Sequence, residues 1–174
     1  MTGGKIDIDL SSKSWTHGIE GIDASIVVSG GQISIITNST DASTYGIGCD
    51  KLEVQNGKIT VDVSSSSQQA CGLSVNSLVV SGGMIDSEAK TASSNYPSIG
   101  FKISENASVT AGQIIAKSTS NSVSGSNGIE FLSDNGGFTI SGGDITASGN
   151  RSGILIGKAS APLTINGTAT ITAT

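Results

Sequence analysis

The chain has 174 residues, the size of one domain, with 24 glycines, 2 prolines and only 13% charged residues. A formal net charge of −5 and a single arginine, Arg151, exclude the clustered basic surface that a nucleic-acid binder uses to displace counterions. Apolar residues reach 36%, enough to argue against disorder, yet no run approaches the ~18–20 apolar residues that cross a bilayer.

Three Phe, two Tyr and one Trp leave the core to aliphatic side chains. Met1-Thr-Gly-Gly offers neither a charged leader nor an apolar segment, so no signal peptide is read at the start. A repeat begins at once, which is the pattern expected of a fragment of a longer chain. Glycines precede an x-Ile pair at Gly4, Gly31, Gly57, Gly83, Gly112 and Gly143, and Gly167, followed by Thr-Ala-Thr-Ile, continues the series; the spacings are 27, 26, 26, 29, 31 and 24 residues. Periods of this size predict a solenoid, in which each unit buries its face only against its neighbours.

Each unit reads as three strands. The first follows the glycine, with Ile6/Ile8/Leu10, Ile33/Ile35, Ile59/Val61/Val63, Ile85, Ile114/Ala116 and Ile145/Ala147 inward and the alternate residues outward. The second is announced by Gly18-Ile19, Gly46-Ile47, Gly72-Leu73, Gly128-Ile129 and Gly153-Ile154, varied in the fourth unit as Ile99-Gly100-Phe101. The third carries Ile26/Val28, Leu52/Val54, Leu78/Val80, Ala107/Val109, Phe138/Ile140 and Leu163/Ile165 inward. A constant five-position step from there to the next inward Ile predicts a short fixed corner built with Asn, Gly and Ser. The expected fold is all-β: one domain over residues 1–174, a single-stranded right-handed parallel β-helix of six full rungs with three strands each. The hand follows from the preference of parallel crossovers. Gly167 to Thr174 reads as the first strand of a seventh rung, cut or capped, so neighbouring domains or end-to-end self-association are the expected partners of the exposed sheet ends.

The Ser-Gly-Gly-x-Ile pattern (Ser29-Gly-Gly-Gln-Ile33, Ser81-Gly-Gly-Met-Ile85, Ser141-Gly-Gly-Asp-Ile145), followed by a Gly-Ile strand, resembles the Gly-rich β-helical repeats of bacterial cell-surface and secreted proteins. More weakly, it is similar to the β-helical carbohydrate-binding domains of the pectin-lyase-like class. The resemblance covers nearly the whole chain and implies a bacterial extracellular or cell-surface location, with polysaccharide as the candidate partner. Those carbohydrate-binding relatives often carry Asp-Asp-Gly-Ile at the second strand. Here the matching places read Thr16-His17-Gly18-Ile19, Thr44-Tyr45-Gly46-Ile47 and Ser126-Asn127-Gly128-Ile129, without the acidic pair.

Candidate chemistry sits on the outward positions. Asp62 and Glu88 share a column on adjacent rungs, with Asp86 two places before Glu88; stacked carboxylates ~5 Å apart repel unless a cation intervenes. Calcium is therefore the candidate metal, with Asp62, Asp86 and Glu88 as oxygen ligands; a solvated acidic face is the plainer alternative. Trp15 and Tyr96 fall in the loops after the first strand, one in rung one and one in rung four. About 14 Å would separate them along the axis, a span suited to several units of an extended glycan. Together Trp15, Tyr96, Asp62, Asp86 and Glu88 form the expected glycan-binding set. His17 and Tyr45 are placed inward by their spacing from Ile19 and Ile47. Cys49 and Cys71 are expected to be buried free thiols, four strand positions and roughly 13 Å apart, beyond disulfide reach.

Three functional classes follow. The leading expectation is a non-catalytic extracellular module, a surface adhesin or stalk with polysaccharide as its ligand. The alternative is a polysaccharide lyase or glycoside hydrolase, which would set a basic residue such as Arg151 or Lys58, or a carboxylate pair, beside a walled cleft. An ice-binding face would need a ladder of outward threonines, for which Thr110, Thr139 and Thr164 are the candidates.

Overall fold

The computed structural model describes residues 1–158 and 160–174. All of its regular structure is β-strand, and every strand pairing is parallel. One sheet stacks the strand that opens each rung, in the order β1 (Lys5–Ser12), β3 (Gln32–Ser39), β5 (Lys58–Ser65), β7 (Met84–Thr91), β9 (Gln113–Ser120), β12 (Asp144–Ser148) and β15 (Thr170–Ala173). The other stacks β2 (Thr16–Val28), β4 (Thr44–Val54), β6 (Ala70–Val80) and β8 (Ser98–Val109). It continues through β10 (Asn127–Phe131) with β11 (Phe138–Ile140), and β13 (Ser152–Ile156) with β14 (Leu163–Ile165). The chain is thus a parallel β-solenoid of about six turns.

From Gly4 to Gly143 the register follows the glycine alignment residue for residue; in the last strand Asp144 pairs with Thr170, two positions beyond the place that Gly167 would set. Ile33 pairs with Ile59, Ile59 with Ile85 and Ile85 with Ile114, so like side chains stack along the axis. Ile33, Ile35, Ile59, Val61, Val63, Ile85 and Ile114 are buried from the first sheet, and Ile47, Leu52, Val54, Leu73, Leu78 and Val80 from the second. Each such side chain contributes roughly 1.5–3 kcal/mol by leaving water. Phe101, Phe131 and Phe138 widen the core in rungs four and five, where the rings of Phe131 and Phe138 lie 5.6 Å apart. Only the first and last rungs expose inward residues, Ile6 and Leu10 at one end and Leu163 and Ile165 at the other, because no rung covers them.

The second and third strands are less separate than their sequence pattern implies. In the first four rungs they run on as one bent strand, and they part only in rungs five and six. In rung two the bend falls where Cys49 and Leu52 are both buried and the two residues between them are half-exposed, a switch of parity that needs no loop. Rung five inserts residues 132–137 at this place and the strand divides.

Two glycine columns hold the rungs at their spacing. At the corner entering the first sheet, Gly4, Gly31, Gly57, Gly83, Gly112, Gly143 and Gly167 all have φ between 69° and 89°, a left-handed conformation that costs other residues roughly 1–2 kcal/mol. Each carbonyl accepts from the next rung, as in Lys58 N to Gly31 O at 2.9 Å and Met84 N to Gly57 O at 2.9 Å. The second column, Gly18, Gly46, Gly72, Gly100, Gly128 and Gly153, lies where the backbone presses on the opposite sheet. A methyl on Gly46 would run into the Val61 side chain and lie 2.5 Å from the Gly72 carbonyl.

Gly57→Ala is expected to cost about 1–2 kcal/mol from its left-handed φ, and Gly46→Ala about 1–3 kcal/mol from overpacking. Gly48→Ala, whose Cβ would meet nothing within 4 Å, should stay within ~0.5 kcal/mol of the parent. Urea unfolding of the three variants checks this. Equal losses at all three positions would show that the columns have no special role.

Candidate functional site

A stacked row of hydroxyls fixes the loops that follow the first sheet. Ser39 pairs in register with Ser12 and Ser65, and Ser65 with Thr91. Each hydroxyl donates into the loop of the preceding rung: Ser39 to Ser14 O at 3.1 Å, Ser65 to Ala42 O at 3.0 Å, Thr91 to Gln68 O at 2.5 Å and Ser120 to Tyr96 O at 3.2 Å. Each also accepts from its own loop, from the backbone N–H of Ala42, Gln68, Ser93 and Ser122. The backbone under Trp15 and Tyr96 is therefore pinned from the next rung.

From that loop Trp15, 67% exposed, lays its ring on Tyr45 with centroids 6.1 Å apart and planes 13° from parallel. Tyr45 in turn meets His17 edge-on at 4.9 Å, its register partner on the neighbouring strand. His17 and Tyr45 do not point inward as their spacing implies. The glycines that follow them, Gly18 and Gly46, occupy the positions against Ile35 and Val61, which turns the preceding residue to the outer side while Thr44 becomes buried. Tyr45 donates to Gln69 Oε1 at 3.3 Å, and burial, then the nearby Cys71, raises its phenol pKa.

Beside this aromatic row lies an open cavity of ≈ 270 Å³, and its shape comes from departures from the repeat. Gly48 lines it where Glu20 and Ser74 stand in the same column, leaving a floor without a side chain. Rung one carries two more residues than rung two between register positions 21 and 25, and its overhang of Ile22 and Asp23 forms a rim. Asp23 sits at φ 55°, and Ile22 is 81% exposed. Asp50 and Asn76 form the far wall, joined by Asn76 Nδ2 to Asp50 Oδ1 at 2.9 Å. His17 Nδ1 donates to Glu20 Oε2 at 2.8 Å on the near side. Three carboxylates, an amide, a hydroxyl and an aromatic edge thus face one bowl. Such a surface can stack the apolar face of a ring and hydrogen-bond its polar rim.

The five expected glycan-binding residues are only partly gathered. Trp15 joins the aromatic row, whereas Tyr96, 43% exposed, is held three rungs away. Asp62 and Glu88 do pair in register, and Asp86 pairs instead with Thr60 and Ile115. Lys90 stands over the pair, its Nζ 3.1 Å from Glu88 Oε1 and 3.9 Å from Asp62 Oδ1, and offsets their repulsion. Among the described residues no group of three or more His, Cys, Asp or Glu side chains is placed to hold a metal ion. The three-threonine ladder is not formed: Thr139 stacks on Thr164 and Ser108, while Thr110 follows the next column with Ser81 and Ser141. Asp23, Asp50 and Asn76 are hidden from a periodic reading because each lies in a bend or bulge, whereas Glu20 sits in ordinary register beside Gly48 and carries no signal of its own. The extra residues between Gly21 and Ser25 are the one visible sign of the bowl.

Both thiols are free. Cys71 pairs in register with Tyr45 and Cys49 with Val75, four positions apart. Burial, then the charge of Asp50, pushes Cys49 up to about 11; burial pushes Cys71 up to about 12. No protein-family model matches the chain, and no curated protein or solved structure is significantly similar to it.

The thiols should be inert to a disulfide reagent at pH 8 in the folded state and react fully in urea, with Cys49, which lines the cavity, the faster of the two if the native protein is forced. Because the folded pKa values lie above the unfolded ones, stability is intact below about pH 9 and falls as the pH rises toward 11 to 12. The slope for Cys71 is at most ~1.4 kcal/mol per pH unit. Urea unfolding at pH 8 and pH 10 should show a smaller drop in Cys71→Val; an unchanged drop would assign the effect to other groups.

Proposed function

We propose that the chain is a non-catalytic, glycan-binding module of a cell-surface or secreted protein, and that it captures polysaccharide in the bowl of rungs one to three. The observation that carries this reading is that Tyr45, with the exposed Trp15 stacked on it, lines a cavity edged by Asp50, Asn76 and Glu20. Sugar rings present an apolar face and a polar edge, and the bowl offers both complements at one place. The β-solenoid and its Ser-Gly-Gly-x-Ile corners support kinship with Gly-rich surface repeats and with β-helical carbohydrate-binding domains.

Nothing in this reading calls on calcium: Lys90 lies between Asp62 and Glu88 and offsets part of their repulsion. Catalysis is the weaker reading. Arg151 lies five rungs from Trp15, and Lys58 lines a different depression, with Lys5, Asp7 and Thr60. The bowl's one basic side chain, His17, is engaged by Glu20.

Calorimetric titration with a panel of soluble oligosaccharides tests the proposal. Trp15→Ala and Tyr45→Ala should each weaken binding about tenfold or more, ~1.4 kcal/mol. Gly48→Leu should block the bowl while leaving the fold intact, because its side chain projects into open space. Binding that survives Gly48→Leu would place the site elsewhere. Slow appearance of reducing or unsaturated ends would mean an enzyme.

A further inference from the structure

We infer that the bowl selects a glycan bearing free, protonated amino groups, an amino-sugar polymer, over neutral or uronic-acid polymers. The inference rests on the glycan-binding reading above and specifies its ligand. Its basis is the charge of the lining around an aromatic wall. Glu20, Asp23 and Asp50 face the cavity, and no lysine or arginine lines it.

The lysines nearby are occupied or outside. Lys51, next to Asp50 in sequence, is 3.0 Å from Glu53 Oε2; the Gln55 amide and this lysine hold the Glu53 carboxyl below its usual range. Lys102 stands one rung beyond Ser74 in the same column, paired in register with Glu130, and does not line the cavity. Asp50 spends one oxygen on Asn76, and its other oxygen makes no side-chain hydrogen bond among the described residues. An ammonium offers several donors to such acceptors. The rings of Tyr45 and His17 stand beside them, with Trp15 stacked behind, and give the sugar carrying that ammonium an apolar wall. A carboxylate-bearing sugar would meet three like charges around one opening, a repulsion that salt weakens. An N-acetylated sugar would keep the stacking and lose the charge.

The test is calorimetry on the full chain with matched oligomers of glucosamine, N-acetylglucosamine, glucose and galacturonic acid, at a pH where the amine is protonated and at two salt concentrations. The amine-bearing oligomer should bind at least about tenfold tighter than its acetylated counterpart, and the gap should narrow in salt. Asp23→Asn/Asp50→Asn should abolish that preference without harming the fold. Asparagine also accepts the left-handed backbone at position 23, and an amide oxygen at position 50 can still accept from Asn76.

Asp62→Asn/Glu88→Gln removes the same charge from the other sheet, so it should leave the preference unchanged and so exclude general attraction of a polycation to an acidic protein. Equal binding of acetylated or neutral oligomers, lost in Tyr45→Ala, would keep the glycan site and overturn the amine selectivity. Tighter binding of the galacturonate oligomer, or a preference that follows Asp62 and Glu88, would also overturn it. No binding by any oligomer would overturn both this inference and the function beneath it.

Discussion

The structure depends on a contact that only glycine permits. At the second glycine column the backbone of one sheet lies directly against side chains of the other, Gly18 on Ile35 and Gly46 on Val61. Each glycine in this column also sits under the carbonyl of the next, with a hypothetical Cβ 2.5–2.7 Å from that oxygen from Gly18 through to Gly153. A solenoid this narrow has no room for two opposed layers of full side chains at that point. The left-handed corner does the complementary work at the other end of the rung, reversing the chain in few residues while keeping a hydrogen bond to the neighbouring rung. With both columns in register, the aliphatic side chains have no choice of partner. Their stacking is then a consequence, and its regularity leaves few ways to slip by one residue.

The same constraint places the functional residues. Because glycine holds the inward position, the residue before it is forced out, and the row His17–Tyr45 appears on the outer surface. In later rungs this column carries Cys71, Ile99 and Asn127, all buried, so the exposed aromatic row is confined to the first two rungs. The hydroxyl row Ser39, Ser65 and Thr91 then fixes the neighbouring loop and brings Trp15 onto Tyr45. Neither ring is positioned by a hydrophobic core of its own; both are held by backbone bonds that the repeat supplies.

This explains what could be read from the chain and what could not. The fold was legible because its determinants are periodic: a glycine every 24–31 residues and alternating Ile and Val on either side. The columns Ile33–Ile59–Ile85 and Asp62–Glu88 came out as aligned. Parity counting fails at the Gly-Ile step, where the register stays continuous but two successive residues, Gly46 and Ile47, are both buried. That single irregularity sent Tyr45 and His17 to the wrong side. The role of Lys90 was hidden for another reason: it lies one column over from the acids it bridges, and only the lateral reach of its side chain connects them. Glu20, Asp23 and Asp50 carry no motif at all. They converge because a bulge in one rung overhangs a side-chain-free position in the next.

A repeat scaffold of this kind presents nearly the same surface at every rung, so a site requires a local break in the repetition. The break here has three parts on neighbouring rungs: extra residues before Ser25, a missing side chain at Gly48, and the Asp50–Asn76 bridge across the bend. Each is cheap for the fold. The bulge lies outside the core, Gly48 touches nothing, and the bridge spans residues already turned outward. The core glycines cannot vary without a clash, whereas these outer positions can, and apart from the buried Cys49 the bowl is made mostly of them. Rungs below it keep the same corners and the same buried columns but fill the outer positions with Lys102 and Glu130, one rung apart and opposite in charge. The acidic, aromatic character of the bowl is therefore a property of three rungs rather than of the solenoid, and changing those few outer residues would change the bowl's chemistry while the column beneath stayed as it is.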